Sequence, residues 1–235
     1  MTESYIYYPD QLTGEQLDIF LAKGWYRMHQ GIFTTHFLLQ EDGFFRVYWM
    51  RYDLDQFSIS NSSKKIIAAN RDFESRIVPF QLTDELETLF QEYKTGIDFN
   101  PAESVRQWIF GEQENKEDVF DSHIIEIRDK EKLIAAGIFD KGKKSIAGIM
   151  NFYHPDYRKY SPGKFLMLLK IQYALDNNRR WYYPGYIVCN NPKFDYKLFA
   201  DKKAAELFIP ERNRWQPYTS DLMNDLTKAS FPGTE

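Results

Sequence analysis

Residues 144–176 read KSIAGIMNFYHPDYRKYSPGKFLMLLKIQYALD, and this stretch decides the fold. KSIAGIMNFY is an apolar run that predicts a strand. HPDYRKYSPG is a turn that carries Arg158 and Lys159. From Ser161 the chain is apolar almost all round, which predicts a buried helix over 161–176, with Ser161 as cap and Pro162 at its first position. WYYPGYIVC, 181–189, then reads as a strand. A strand that follows a crossover helix lies parallel to the strand before it. A glycine turn that opens a helix presents backbone N–H groups to an anion. A ligand phosphate is therefore expected where the two strands part and the helix begins, with the Ser161 and Gly163 amides and the Arg158, Lys159 and Lys164 side chains around it. Plain helix capping accounts for the same Ser-Pro-Gly turn, and both readings stand.

Working outward, SHIIEIRD (122–129) and KLIAAGIFD (132–140) are two more strand candidates. Short charged turns join them to each other and to the strand at 144, as in an antiparallel meander. Upstream, apolar spacing at Leu17, Phe20 and Leu21 predicts a helix over 12–23, with Thr13 as cap and Gly24 as its end. Residues 25–52 are rich in Phe, Tyr, Trp and Thr and read as strands, with an acidic turn at 41–43. FSISNSSKKIIAANRDF (57–73) reads as loop-like at first and then basic. TDELETLFQEYK (83–94) reads as a capped helix, 101–110 as a short helix, and 111–118 as a charged connection. DKKAAELF (201–208) is expected to be a helix or its remnant, and the final SFPGTE to be frayed. The expected organisation is an N-terminal subdomain over 1–80, a main domain over 81–218 and a flexible tail over 219–235.

The 235 residues suffice for a sizeable core. No apolar run is long enough to span a membrane, and the first residues lack a secretory pattern. With one cysteine, Cys189, a disulfide framework and a cysteine-rich metal site are excluded, and a reduced, cytoplasmic setting is expected. His29, His36, His123 and His154 share no metal-ligand spacing. Net charge is −4, but its distribution is uneven: residues 1–127 carry 11 Lys+Arg against 22 Asp+Glu, and residues 128–215 carry 18 against 9. That asymmetry is consistent with an anionic partner for the second half, or with two halves of complementary charge packing together.

The β-β-β-turn-helix-β order from 122 onward resembles the acetyltransferase-like (acyl-CoA N-acyltransferase) superfamily. The resemblance implies an α+β fold: a mixed sheet flanked by helices, preceded here by an N-terminal α/β extension. A narrower resemblance rests on Phe152-Tyr153-His154-Pro155, Ser161-Pro162-Gly163, Pro184-Gly185-Tyr186 and Pro192-Lys193-Phe194-Asp195-Tyr196-Lys197. These are similar to the C-terminal half of the aminoacyl-tRNA–protein transferases, the arginyl and leucyl enzymes of the N-end rule that extend protein N-termini. LAKGWYRMHQGIFTTHF and the 57–73 stretch extend the likeness over roughly 12–215. The family's cysteines between the positions of Phe33 and Val47 are absent here. Its arginine-rich stretch keeps only Lys64, Lys65 and Arg71.

The resemblance implies transfer of an amino acid from aminoacyl-tRNA to the α-amine of a protein N-terminus, with an acidic acceptor residue and no cofactor. Such an amine has a pKa of ~7.7–8.0 and attacks an activated ester, so alignment and oxyanion donors matter more than a strong base. It implies tRNA or phosphate contacts at Lys64, Lys65, Arg71, Arg158, Lys159, Ser161, Gly163 and Lys164. It implies substrate contacts at Tyr153, Tyr186, Lys193, Tyr196 and Lys197, with a lysine for the acidic acceptor and tyrosines for the terminal adenine. Two other readings use the same fold: an acyl-CoA-dependent N-acetyltransferase, and a non-catalytic module that binds N-termini or RNA.

Overall fold

The computed structural model describes residues 4–40, 43–99, 101–112, 117–189 and 191–230. In chain order the elements are β1 (Tyr5–Tyr7), α1 (Gly14–Ala22), β2 (Tyr26–Met28), β3 (Gly31–Thr34), β4 (Phe37–Gln40), β5 (Gly43–Asp53), α2 (Asn61–Ala69), β6 (Glu74–Pro79), α3 (Asp84–Thr95) and α4 (Val105–Phe110). Then follow β7 (Ser122–Asp129), β8 (Lys132–Lys141), β9 (Ser145–Tyr153), α5 (Pro162–Asp176), β10 (Trp181–Val188), β11 (Ala205–Ile209), β12 (Arg214–Pro217) and α6 (Ser220–Ser230). Short 3₁₀ turns occupy Pro155–Tyr160 and Pro192–Leu198.

One sheet dominates, in the order β12-β11-β5-β10-β9-β8-β7-β6, with β4 hairpinned onto β5. Every neighbour pair is antiparallel except β9 and β10, the two strands joined by the α5 crossover. The antiparallel meander and the parallel return are as the sequence predicts. A smaller sheet, β1-β3-β2, lies outside it. The main sheet is continuous across residue 80, because β5 and β6 are among its strands.

Burial on both faces explains the apolar strands. On one face α5 sets Leu166 and Ile171 against Met50, Phe139 and Tyr182. On the other, α3 and α4 set Leu86, Phe90 and Ile109 against Ile138 and Phe152. Strand β8 lies between these layers, so its side chains are buried from Leu133 to Asp140 without the alternation of a half-exposed strand. Each such aromatic or aliphatic side chain contributes roughly 1.5–3 kcal/mol on burial. Thr13 caps α1 with a full capping box, and Thr83 and Ser104 cap α3 and α4.

Several expectations are corrected. The 57–73 segment is loop-like over 57–60, as expected, but then holds an unexpected helix: Ser60 Oγ accepts from Ser63 N–H and starts α2, and Ile66 packs on the core. The helix expected over 101–110 begins only at Val105. DKKAAELF turns through Lys202 and Lys203 into strand β11, because Ala205–Leu207 find hydrogen-bonding partners at Met50–Tyr52 of β5. Residues 220–230 form α6, not a loose tail, and Leu222, Met223 and Leu226 rest on the core. Residues 41 and 42 of the acidic turn, 113–116 of the charged connection and the terminal 231–235 lie outside the described residues.

Candidate active site

Strands β9 and β10 stay together for three residue pairs, the last being Ala147↔Tyr183. Beyond them β10 carries a bulge between Tyr182 and Gly185, at Pro184, which has no N–H to extend a ladder. Gly185 takes a φ of +105°, a conformation that favours glycine. The strands part there, and Tyr26 of β2 reaches into the gap. Its hydroxyl lies 2.5 Å from Gly148 O and 2.8 Å from Tyr183 O, so one proton serves carbonyls freed from both strands.

The cleft so formed has a volume of about 640 Å³. Its wall is aromatic: Tyr26 stacks on Trp49 at 5.0 Å, Trp49 meets Tyr186 edge-on at 5.3 Å, and Tyr186 stacks on Phe194 at 5.7 Å. At the mouth, Met28, Phe99, Trp108 and Tyr196 are exposed.

Three cations face this aromatic space. Lys170 is 1% exposed, and its Nζ donates to Asn151 Oδ1 at 2.7 Å, Ile138 O at 2.8 Å and Met150 O at 3.3 Å. Burial pulls its pKa from 10.5 to about 7, against the opposing pull of Asp140. Lys197 Nζ donates to Tyr186 O at 2.9 Å and lies about 5 Å from the rings of Phe194 and Tyr196. Burial lowers its pKa to about 8. Arg27 binds Asp140 Oδ1 at 2.8 Å, Ser122 Oγ at 2.7 Å and Asp118 Oδ1 at 3.0 Å. Burial raises the fully enclosed Asp140 carboxyl to about 6, with Arg27 opposing that rise. Among the described residues that line the cleft there is no Asp or Glu.

Of the residues singled out from sequence, Tyr186, Tyr196 and Lys197 line this cleft. Tyr153 stands one layer back, edge-on to the cleft residue Tyr93 at 5.3 Å and against Gly163. Lys193 lies in the 3₁₀ turn after β10, and its side chain is outside the described residues. The Ser-Pro-Gly turn is not a ring of free amides. Ser161 adopts a left-handed conformation with no side-chain cap bond; its N–H donates to Arg158 O, and Lys164 N–H donates to Ser161 O. Pro162 has no N–H, which leaves the Gly163 amide at this turn.

The two basic segments are tied to one another. Asn70 at the end of α2 is buried and donates to Tyr160 O at 2.8 Å, while Phe73 packs edge-on against Tyr157 and Tyr160. This ties the segment with Lys64, Lys65 and Arg71 to the turn with Arg158 and Lys159, and those five side chains are exposed. Lys164 is half-buried, its Nζ 5.4 Å from the Phe199 ring.

Sequence reasoning missed Lys170, Asn151 and Arg27. The signal for Lys170 was present: it sits four residues from both Leu166 and Ala174, on the buried face of an apolar helix. Asn151 and Arg27 gave no signal, because their partners are 19 and 91–113 residues away.

A cleft where parallel strands part, walled by aromatics around a few polar groups, has the architecture of a ligand site. Residues 85–204 match the family described as arginine-tRNA-protein transferase, C terminus. The chain belongs to this aminoacyl-tRNA–protein transferase family. A Leptospira interrogans protein named aspartate/glutamate leucyltransferase is 25% identical over 214 residues, which cover 90% of this chain and 82% of that protein. One of the same name from Xanthomonas axonopodis pv. citri is 27% identical over 160 residues, 63% of this chain and 61% of that protein. Among solved structures, L-PGS from Bacillus licheniformis superposes with a TM-score of 0.43 at 15% identity, over 60% of this chain and 48% of that one. Among the described residues no helix is long and apolar enough to cross a membrane.

Proposed function

We propose that this protein transfers an amino acid from the 3′ end of an aminoacyl-tRNA to the α-amine of a protein N-terminus. The observation that carries this reading is the cleft at the β9–β10 parting, built largely from the family-matching segment, with aromatic walls and buried cations. The parting lies where acetyltransferase-like folds bind their acyl donors, and the large mixed sheet flanked by helices fits that architecture. Tyr186, Phe194 and Tyr196 offer stacking faces to a terminal adenine. The linked segments that carry exposed Lys64, Lys65, Arg71, Arg158 and Lys159, with Lys164 beside them in sequence, suit the tRNA backbone.

The transferred residue is leucine-like and not arginine, because a buried guanidinium calls for a carboxylate and the described cleft wall has none. The acceptor residue is acidic. Lys197 has one backbone acceptor at 2.9 Å, and its ammonium retains donors for a carboxylate. The relatives named aspartate/glutamate leucyltransferase agree with both choices. The reaction needs no cofactor beyond the aminoacyl-tRNA and takes place in the cytoplasm, where that donor is made.

The test is a peptide mass. The protein is incubated with bulk aminoacylated tRNA and peptides that begin with Asp, Glu, Arg or Ala, with acetyl-CoA in a parallel reaction. A gain of one leucyl residue on the Asp and Glu peptides supports the reading. An arginyl gain overturns the choice of donor, and an acetyl gain in the parallel reaction moves the protein to the CoA-dependent class. No gain from folded protein leaves a binding module.

A further inference from the structure

Asn151 lies on β9 four residues beyond the last pairing with β10, at the wall of the cleft. Its side-chain amide is oriented by Lys170, which meets it as a donor. Lys170 Nζ is surrounded by three oxygens and its protonated form has only N–H bonds to offer, so the 2.7 Å contact fixes Asn151 Oδ1 toward the lysine and turns Nδ2 away from it. Nδ2 carries two N–H bonds, and its one acceptor among the described residues is Gly163 O at 3.5 Å, the limit of a hydrogen bond. The donor is therefore fixed in orientation at the cleft wall and underused.

The space for the pair is made by a missing side chain. A Cβ on Gly137 would come within 2.9 Å of Asn151 Oδ1 and 3.3 Å of Lys170 Cε. The lysine has a second effect when protonated: its charge is then matched by three neutral oxygens and no carboxylate at hydrogen-bond distance, so it polarises the amide it holds.

We propose that Asn151 Nδ2 is an oxyanion donor for aminoacyl transfer, and that Lys170 is the residue that positions and polarises it. This rests on the transferase reading above. In that step the acceptor amine's lone pair forms the C–N bond to the ester carbonyl carbon, and the C=O pair moves onto oxygen. That oxygen, now negative, takes the Nδ2 hydrogen bond. The pair then returns, the bond to the ribose oxygen breaks, and the proton lost by the amine ends on the ribose hydroxyl. A donor that meets charge only as it develops lowers the barrier without tightening substrate binding.

The experiment compares Asn151→Asp and Asn151→Ala with the unmodified enzyme, measuring kcat and KM for leucyl-tRNA and an Asp-initial peptide. The first variant is isosteric and pairs with Lys170, so it keeps the fold, and thermal melting checks both. A fall in kcat of about 100-fold in each, with both KM values within about twofold, is the expected result. Lys170→Met, with the donor intact but no longer held, falls by a smaller factor in kcat alone. Unchanged kcat, or a loss confined to KM, overturns the proposal. So does a loss in Asn151→Asp that Asn151→Ala does not share, since that would be repulsion by a new charge. An unmodified enzyme that makes no product refutes the transferase reading instead, so the two failures are distinct.

Discussion

Replacement of Lys170 by methionine gives a test that needs no substrate. Burial lowers the folded-state pKa of this side chain from 10.5 to about 7. Between those values the unfolded chain binds a proton at Lys170 and the folded chain does not. Stability therefore rises with pH across that interval, by about 1.36 kcal/mol per pH unit. The contribution is complete above the unfolded pKa and is lost as pH falls through the folded one. Methionine keeps an unbranched chain in the same slot between α5 and β8 but cannot titrate. Urea unfolding of both proteins from about pH 7.5 to about pH 9.5 measures the effect as a difference, in which Lys197 and every other common group cancel. The unfolding free energy of the unmodified protein should gain roughly 3 kcal/mol on the variant over that span. The absolute offset between them is a separate matter, since methionine also leaves Asn151 Oδ1 without its donor. A difference that stays flat within about 0.5 kcal/mol would refute the claim that a shifted, enclosed lysine sits in the cleft wall.

Lys197→Met should raise KM for an Asp-initial peptide about 10- to 100-fold, the worth of one charge-assisted hydrogen bond, and leave an Ala-initial peptide unaffected; steady-state kinetics on the two peptides checks it. Joint Arg158→Ala and Lys159→Ala should reduce the slope of log affinity for tRNA against log salt by about 1.4–1.8, measured by filter binding over a salt series. Gly137→Ala should cost about 1–3 kcal/mol in denaturant unfolding, because its Cβ meets Asn151 at 2.9 Å and Leu166 at 3.0 Å.

The legible parts of this sequence were those set by nearby residues. The meander from 122, the α5 crossover and the parallel β10 all follow from local periodicity and one topological rule. Tyr186, Tyr196 and Lys197 were found through a motif and do line the cleft. Elements whose identity depends on distant partners were misread. Ala205–Leu207 find a strand partner in β5, far earlier in the chain, and Glu206–Ile209 one in β12. The 57–73 segment is loop-like at first, as read, but the α2 helix after that start is seen only when Ile66 meets the core and Asn70 meets Tyr160. Its helix has one buried residue, Ser63, and so little apolar periodicity to read. Lys170 was legible only in part: its spacing from Leu166 and Ala174 puts it on the buried face of α5, but its oxygen partners lie on β8 and β9.

The place of β5 in the sheet has a consequence for how the chain is made. Apart from its β4 hairpin, β5 pairs with β10 and β11, which end at residues 188 and 209. During synthesis both long flanks of this strand, with Tyr48, Met50 and Tyr52 destined for the core, must wait for more than a hundred residues to emerge. A nascent chain therefore carries an open, apolar strand edge for most of its time on the ribosome. The last third of the polypeptide closes the middle of the sheet, so fragments ending before β11 should aggregate, and yield in the cell will follow the rate at which the C-terminal strands arrive.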